Sequence, residues 1–189
     1  MKIIDLVILT EANASLQWFS GSTYTSEANP KAITKCIEMN LPYSNADAWL
    51  FWDMAFGDPP LELCQDLLTT PDDVWHAGLR SGLSAQPDFI DFVSPTWMLN
   101  RDPDSDIEAT SWRISLRCCL IRTEVLRQMG GPQWCFQSLE GASLELGHYY
   151  IQNGVFTRHV PGLLSNQVQP SKPIISLYDQ LLFIKFRYG

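Results

Sequence analysis

Short apolar runs separated by polar punctuation recur along most of this chain. The first, IIDLVIL from Ile3 to Leu9, is nearly continuous and predicts a central strand covered on both faces. Asp5 interrupts the run, which favours a first strand of the fold over a secretory leader. Thr10-Glu11-Ala12-Asn13 reads as the loop leaving that strand. A second apolar element, Leu16 to Phe19, stops at the polar turn cluster Ser20-Gly21-Ser22-Thr23. Pro30 suits the first turn of a helix whose Ile33, Ile37 and Leu41 share one face, and Pro42 marks its end.

The run AWLFW, Ala48 to Trp52, reads as a buried strand that ends on a single carboxylate, Asp53. Gly57 and the pair Pro59-Pro60 lead into a helix with Leu61, Cys64, Leu67 and Leu68 on one face. Asp72 to Leu79 predicts a strand. Residues Arg80 to Thr110, with Pro87, Pro95, Pro103 and the acidic run Asp102 to Glu108, read as a long irregular loop of the kind that serves function. Ser111 to Arg122 predicts a strand, and Thr123 to Met129 a short helix capped by Thr123 and stopped at Gly130-Gly131. A helix from about Ala142 to Asn153, a strand from Val155 to Val160 and an amphipathic helix from Ser176 to Arg187, capped by Ser176, complete the chain. This alternation of strands and helices predicts one α/β domain over residues 1–189, with a mixed, mostly parallel sheet flanked by helices. In such sheets ligands bind outside the carboxyl ends of the strands, which makes Asp53 a candidate for chemistry.

Composition narrows the classes. With 46% hydrophobic residues, seven Trp and nine Phe in 189 residues, the chain is long and apolar enough for one well-buried core. A net charge of −8 argues against nucleic acid as a partner. No apolar stretch reaches the roughly 18 residues of a transmembrane segment. The five cysteines lack metal-type spacing and read as reduced core or near-core thiols, the pattern of a cytoplasmic protein. Walker-type and dinucleotide glycine loops and a Gly-x-Ser-x-Gly elbow are all missing, which disfavours nucleotide hydrolases, dehydrogenases and serine hydrolases. Arg113, Arg117 and Arg122 recur along one strand region, where they either face solvent or meet an anion.

Three segments taken in order carry a resemblance: Ala46-Asp47-Ala48-Trp49-Leu50-Phe51-Trp52-Asp53; Ser111-Trp112 through Gly131, with its LIRTEVLRQMGG; and Glu140 through Pro161, EGASLELGHYYIQNGVFTRHVP. They resemble the nucleotide-sugar-dependent glycosyltransferases of the GT-A fold, in particular the family 2-like group, whose first corresponding segment ends in an acidic Asp-x-Asp motif. The resemblance implies transfer of a sugar from a nucleotide-diphosphate donor to a saccharide or other acceptor hydroxyl. It further implies donor contacts at Thr10, Glu11, Asp53 and Arg122, a divalent metal (Mn or Mg) on Asp53 and His159, and Glu140 or Glu145 as general base. The chain departs from the family at three points. Ala55 stands where the motif has its second acid, Ala142 and Ser143 stand where an acidic pair is expected, and the stretch from Leu9 to Leu16 is too short for the usual first helix. These departures suit a second reading, a GT-A-like module that binds without catalysing.

Overall fold

The computed structural model describes residues 2–10, 21–77, 107–164 and 175–189. Seven strands form one sheet in the order β2-β1-β3-β6-β4-β7-β5: β1 (Ile4–Leu9), β2 (Thr23–Ser26), β3 (Ala48–Asp53), β4 (Val74–His76), β5 (Ala109–Thr110), β6 (Cys118–Arg122) and β7 (Thr157–His159). The helices are α1 (Pro30–Asn40), α2 (Leu61–Leu67), α3 (Thr123–Met129), α4 (Leu139–Gln152) and α5 (Leu177–Tyr188). The α/β class and the mixed sheet flanked by helices are as expected. Parallel pairing, however, does not predominate: β1 with β2, β1 with β3 and β4 with β7 are parallel, while β6 runs against both of its neighbours and β5 against β7.

The apolar runs are continuous because helices cover both faces of the central strands. Val7, Leu9, Trp49, Phe51, Cys119 and Ile121 pack with Ile33 and Ile37 of α1, Leu126 of α3 and Leu146 and Tyr150 of α4. Their alternates Ile4, Leu6, Ile8, Leu50, Trp52, Cys118 and Leu120 pack on the other face with Cys64 and Leu67 of α2. Asp5, the polar exception in β1, is buried but satisfied: Oδ1 accepts from the Ser22 N–H at 2.7 Å and Oδ2 from the Ser44 hydroxyl at 2.6 Å. It ties β1 to the segments that precede β2 and β3. A Cβ on neighbouring Gly21 would lie 2.1 Å from the Ile4 carbonyl oxygen, so only glycine allows this approach.

Several elements differ from the sequence reading, each for a local reason. β2 forms from the polar segment TYTS, which carries no apolar run, because β1 offers it a parallel ladder. Thr123 does not cap α3; it is the first helical residue after Arg122, and its N–H donates to the Asp47 carbonyl at 3.0 Å. α4 begins at Leu139, earlier than expected, capped by the Ser138 side chain on the Gly141 N–H. Only the end of Ser111–Arg122 is strand. Residues 111–116 instead pass so close under α4 that a Cβ on Gly147 would sit 1.9 Å from the Trp112 carbonyl oxygen. The expected element Leu16–Phe19 and most of the expected loop Arg80–Thr110 lie outside the described residues. Among the described residues no helix is long and apolar enough to cross a membrane.

Candidate functional site at the carboxyl edge of the sheet

Strand alternation determines which side chains meet at the end of β3. Trp49 and Phe51 face the side covered by α1 and α4, so Asp53, next in the alternation, belongs to that side too. Trp52 lies opposite Cys118 in the antiparallel register, which makes Arg117 the position opposite Asp53. The Asp53 N–H accordingly donates to the Arg117 carbonyl at 2.7 Å. Arg117 shares the alternation of Cys119 and Ile121 and therefore the same face. α4 starts above this face and supplies Glu140 from its first turn.

The result is a network of three charges. Arg117 Nη1 donates to Asp53 Oδ2 at 2.5 Å, and Arg117 Nε donates to Glu140 Oε1 at 2.7 Å. Asp53 Oδ1 accepts from the Ala55 N–H at 2.9 Å and so caps the 3₁₀ turn Met54–Phe56. Side-chain exposure is 26% for Arg117, 13% for Asp53 and 9% for Glu140, so the guanidinium is the group most open to a ligand. Burial alone would lower the Arg117 pKa, but Glu140 and Asp53 outweigh it and the group is held above its ordinary value. No described residue accepts from Nη2.

Position in the topology adds to this. β2 lies on one side of β1 and β3 on the other, so the strand order reverses between β1 and β3, and their carboxyl ends, Leu9 and Asp53, flank the crevice where open α/β sheets bind ligands. Thr10 leaves β1 at this edge, its N–H donating to the Ser26 carbonyl at 3.1 Å. Glu11 lies outside the described residues.

The other sequence candidates are placed elsewhere. Arg122 pairs with Ala48, at the far end of β3 from Asp53, about 17 Å along the strand. Its guanidinium donates to the Asp72 and Thr70 carbonyls at 2.9 and 2.7 Å and lies 5.0 Å from the Trp75 ring. Glu145 is five residues beyond Glu140 on α4, which turns it about 140° around the helix and carries it about 7.5 Å along. It is buried in an ion pair with Arg187 of α5. Ala142 is packed in a core cluster with Trp112 and Phe183, and the Ser143 hydroxyl binds the Leu116 N–H at 3.1 Å. No room exists there for the acidic pair that the resemblance would place at these positions.

His159 ends β7, three strand positions and about 14 Å from β3. Its Nδ1 lies 3.2 Å from the Ile107 carbonyl, and its ring 5.8 Å from His76, its register partner. Asp53 and His159 therefore do not converge on one ion. Among the described residues no group of three or more His, Cys, Asp or Glu side chains is arranged to hold a metal. His76 is fully buried and held neutral, its pKa driven down to about 3 by burial first and by His159 second.

Arg117 is the residue that the pattern of β6 alone does not single out from Arg113 and Arg122. Its signal is the register: once β6 is antiparallel to β3, the residue preceding Cys118 must face the residue following Trp52. Comparison with known proteins adds nothing to this geometry: no protein-family model matches the chain, and no curated protein sequence is similar to it at a significant level.

Proposed function

We propose that this domain is a glycosyltransferase of the GT-A type, moving a sugar from a nucleotide-diphosphate donor to an acceptor hydroxyl. The observation that carries the reading is the convergence of its three segments on one edge. β3 ends at Asp53, β6 starts just after Arg117, and α4 opens with Glu140, all beside the crevice at the β1–β3 reversal. In this reading the donor lies along the carboxyl ends of β1 and β3 near Thr10 and Asp53. Arg117 offers its Nη2 edge to an anionic oxygen, and Glu140 takes the acceptor proton through Oε2, which no described residue engages. Glu140 fits the base role better than Glu145, whose carboxylate is spent on Arg187.

A specific observation favours the second reading, a module that binds without turnover: Ala55 contributes a backbone N–H rather than a second acid, and Ala142 is sealed in the core. Thermal unfolding with a panel of nucleotide sugars, paired with release of free sugar or transfer to simple saccharides, separates the two. A ligand that binds the native state raises the midpoint. Midpoint shifts with turnover that falls in Glu140→Gln support the transferase, and shifts without turnover support the module. If no nucleotide sugar shifts the midpoint and Asp53→Asn changes nothing, both readings fail.

A further inference from the structure

In a phosphate site a divalent ion is held by one or two carboxylates, with water and ligand oxygens completing its shell at about 2.0–2.2 Å. Among the described residues Asp53 and Glu140 are the two carboxylates that meet at this edge, and the oxygens they turn toward each other, Oδ2 and Oε1, are both occupied by one guanidinium. The remaining oxygen of Asp53 is occupied as well, by the Ala55 N–H at 2.9 Å. Ala55 is thus more than a missing ligand, because its backbone N–H takes up a lone pair of Oδ1 and leaves Glu140 Oε2 as the one oxygen of the pair that no described residue engages. His159, the other ligand that the resemblance suggests, stands on β7, three strands away. Among the described residues the donor set does not fit a divalent metal.

We infer that Arg117 is the resident cation of this crevice, standing between Asp53 and Glu140 where a divalent metal would otherwise bridge them, so that a diphosphate oxygen is met by guanidinium N–H groups without Mg²⁺ or Mn²⁺. The inference rests on the donor reading above for the nature of the ligand, but not for the place of the cation. Arg117 is suited to the part because its main chain is tied to Asp53 and its Nε and Nη1 are fixed by carboxylates, leaving the Nη2 edge oriented rather than free to rotate. Two carboxylates against one guanidinium leave a formal charge of −1, where a divalent ion would leave zero. Arg117 therefore contributes directed hydrogen bonds more than surplus charge, and removing the Glu140 charge should tighten binding of an anion several-fold.

The test begins with Mn²⁺ alone, followed by its electron paramagnetic resonance signal. The wild-type protein should bind no stoichiometric Mn²⁺. Arg117→Met, which vacates the space between the carboxylates, should gain one Mn²⁺ site at least about tenfold tighter than any wild-type binding, and Arg117→Met/Asp53→Asn should lose it again. A wild-type Mn²⁺ site lost in Asp53→Asn overturns the inference, and so does a folded Arg117→Met protein that gains none. Should Arg117→Met not fold, calorimetry on the wild type with UDP and GDP decides: equal affinity in Mn²⁺ and in EDTA supports the inference, and binding only with Mn²⁺ overturns it. If neither nucleotide binds under either condition the donor reading fails, while the wild-type Mn²⁺ titration still judges the cation.

Discussion

Asp179 offers the sharpest test of how the site is held, because it lies on α5 yet secures the helix that carries Glu140. It is fully buried, and its carboxylate accepts from the Gln137 N–H at 2.8 Å, the Ser138 N–H at 2.9 Å and the Ser138 hydroxyl at 2.5 Å. The Ser138 hydroxyl in turn caps the Gly141 N–H, so the N-terminus of α4 hangs on Asp179. Hydrogen bonds to a charged group are worth about 1.5–3 kcal/mol each and do not add fully, while stranded N–H groups cost about 1–3 kcal/mol. Asp179→Ala also relieves one buried charge, so the net loss should be about 3–4 kcal/mol, a large part of a typical domain stability of about 5–15 kcal/mol. Urea unfolding followed by tryptophan fluorescence should show a lower midpoint at unchanged slope. Asp179→Asn, which keeps one acceptor and turns an NH₂ against a donor, should fall between. A Cβ on Gly141 would meet Asp179 Oδ2 at 2.8 Å and Cγ at 3.0 Å, so Gly141→Ala should destabilise despite its gain of up to about 1 kcal/mol in helix propensity, and cost less once Asp179 is Ala. A loss below about 1 kcal/mol for Asp179→Ala, or additive effects in that cycle, would refute the clamp.

Three other outcomes are expected. His76 has its folded pKa lowered to about 3 from an ordinary 6.5, so the unfolded chain binds the extra proton as pH falls below 6.5. Stability contributed above that pH is then lost toward pH 3, at a slope approaching about 1.4 kcal/mol per pH unit; His76→Gln should flatten the slope between pH 6.5 and 5 in urea titrations, and an unchanged slope would show that another group is responsible. Burial pushes the Cys64 thiol up to about 12 and raises Cys36, Cys118 and Cys119 also, but Cys36 and Cys135 are only half-buried and so the two within reach of a reagent. A thiol reagent at neutral pH should therefore titrate at most these two in the native protein and all five in denaturant, and rapid modification of a third would contradict the packing. Gly147→Ala should cost more than the 0.5–3 kcal/mol common for point substitutions, on the order of 4 kcal/mol, because its Cβ would lie 1.9 Å from the backbone carbonyl oxygen of Trp112; a soluble protein with a wild-type melting midpoint would show that residues 111–116 do not run under α4.

Much of the fold is legible in the chain because the signals are local. The apolar runs of β1 and β3, Pro30 at the start of α1, the Ser176 cap of α5 and Gly130, with φ of 80°, after α3 all arise from covalent geometry or short-range patterning. Asp53 at the end of its strand is legible for the same reason. Its partner is not, because a strand pattern states only that alternate residues share a face and says nothing of which strand lies alongside or in which direction.

By itself, then, the sequence determined the α/β class, the strand that delivers Asp53, and Glu140 and Glu145 as acids near the start of a helix that it placed from about Ala142. Tertiary structure decided which of the candidates meet. Reversal of β6 sends Arg122 to the opposite edge of the sheet and brings Arg117 to Asp53. Packing of α5 on α4 consumes Glu145 with Arg187 and leaves Glu140 at the crevice. Strand order separates His159 from both. Each of these depends on contacts between residues far apart in the chain, where register and helix docking are set by burial summed over whole faces rather than by any motif.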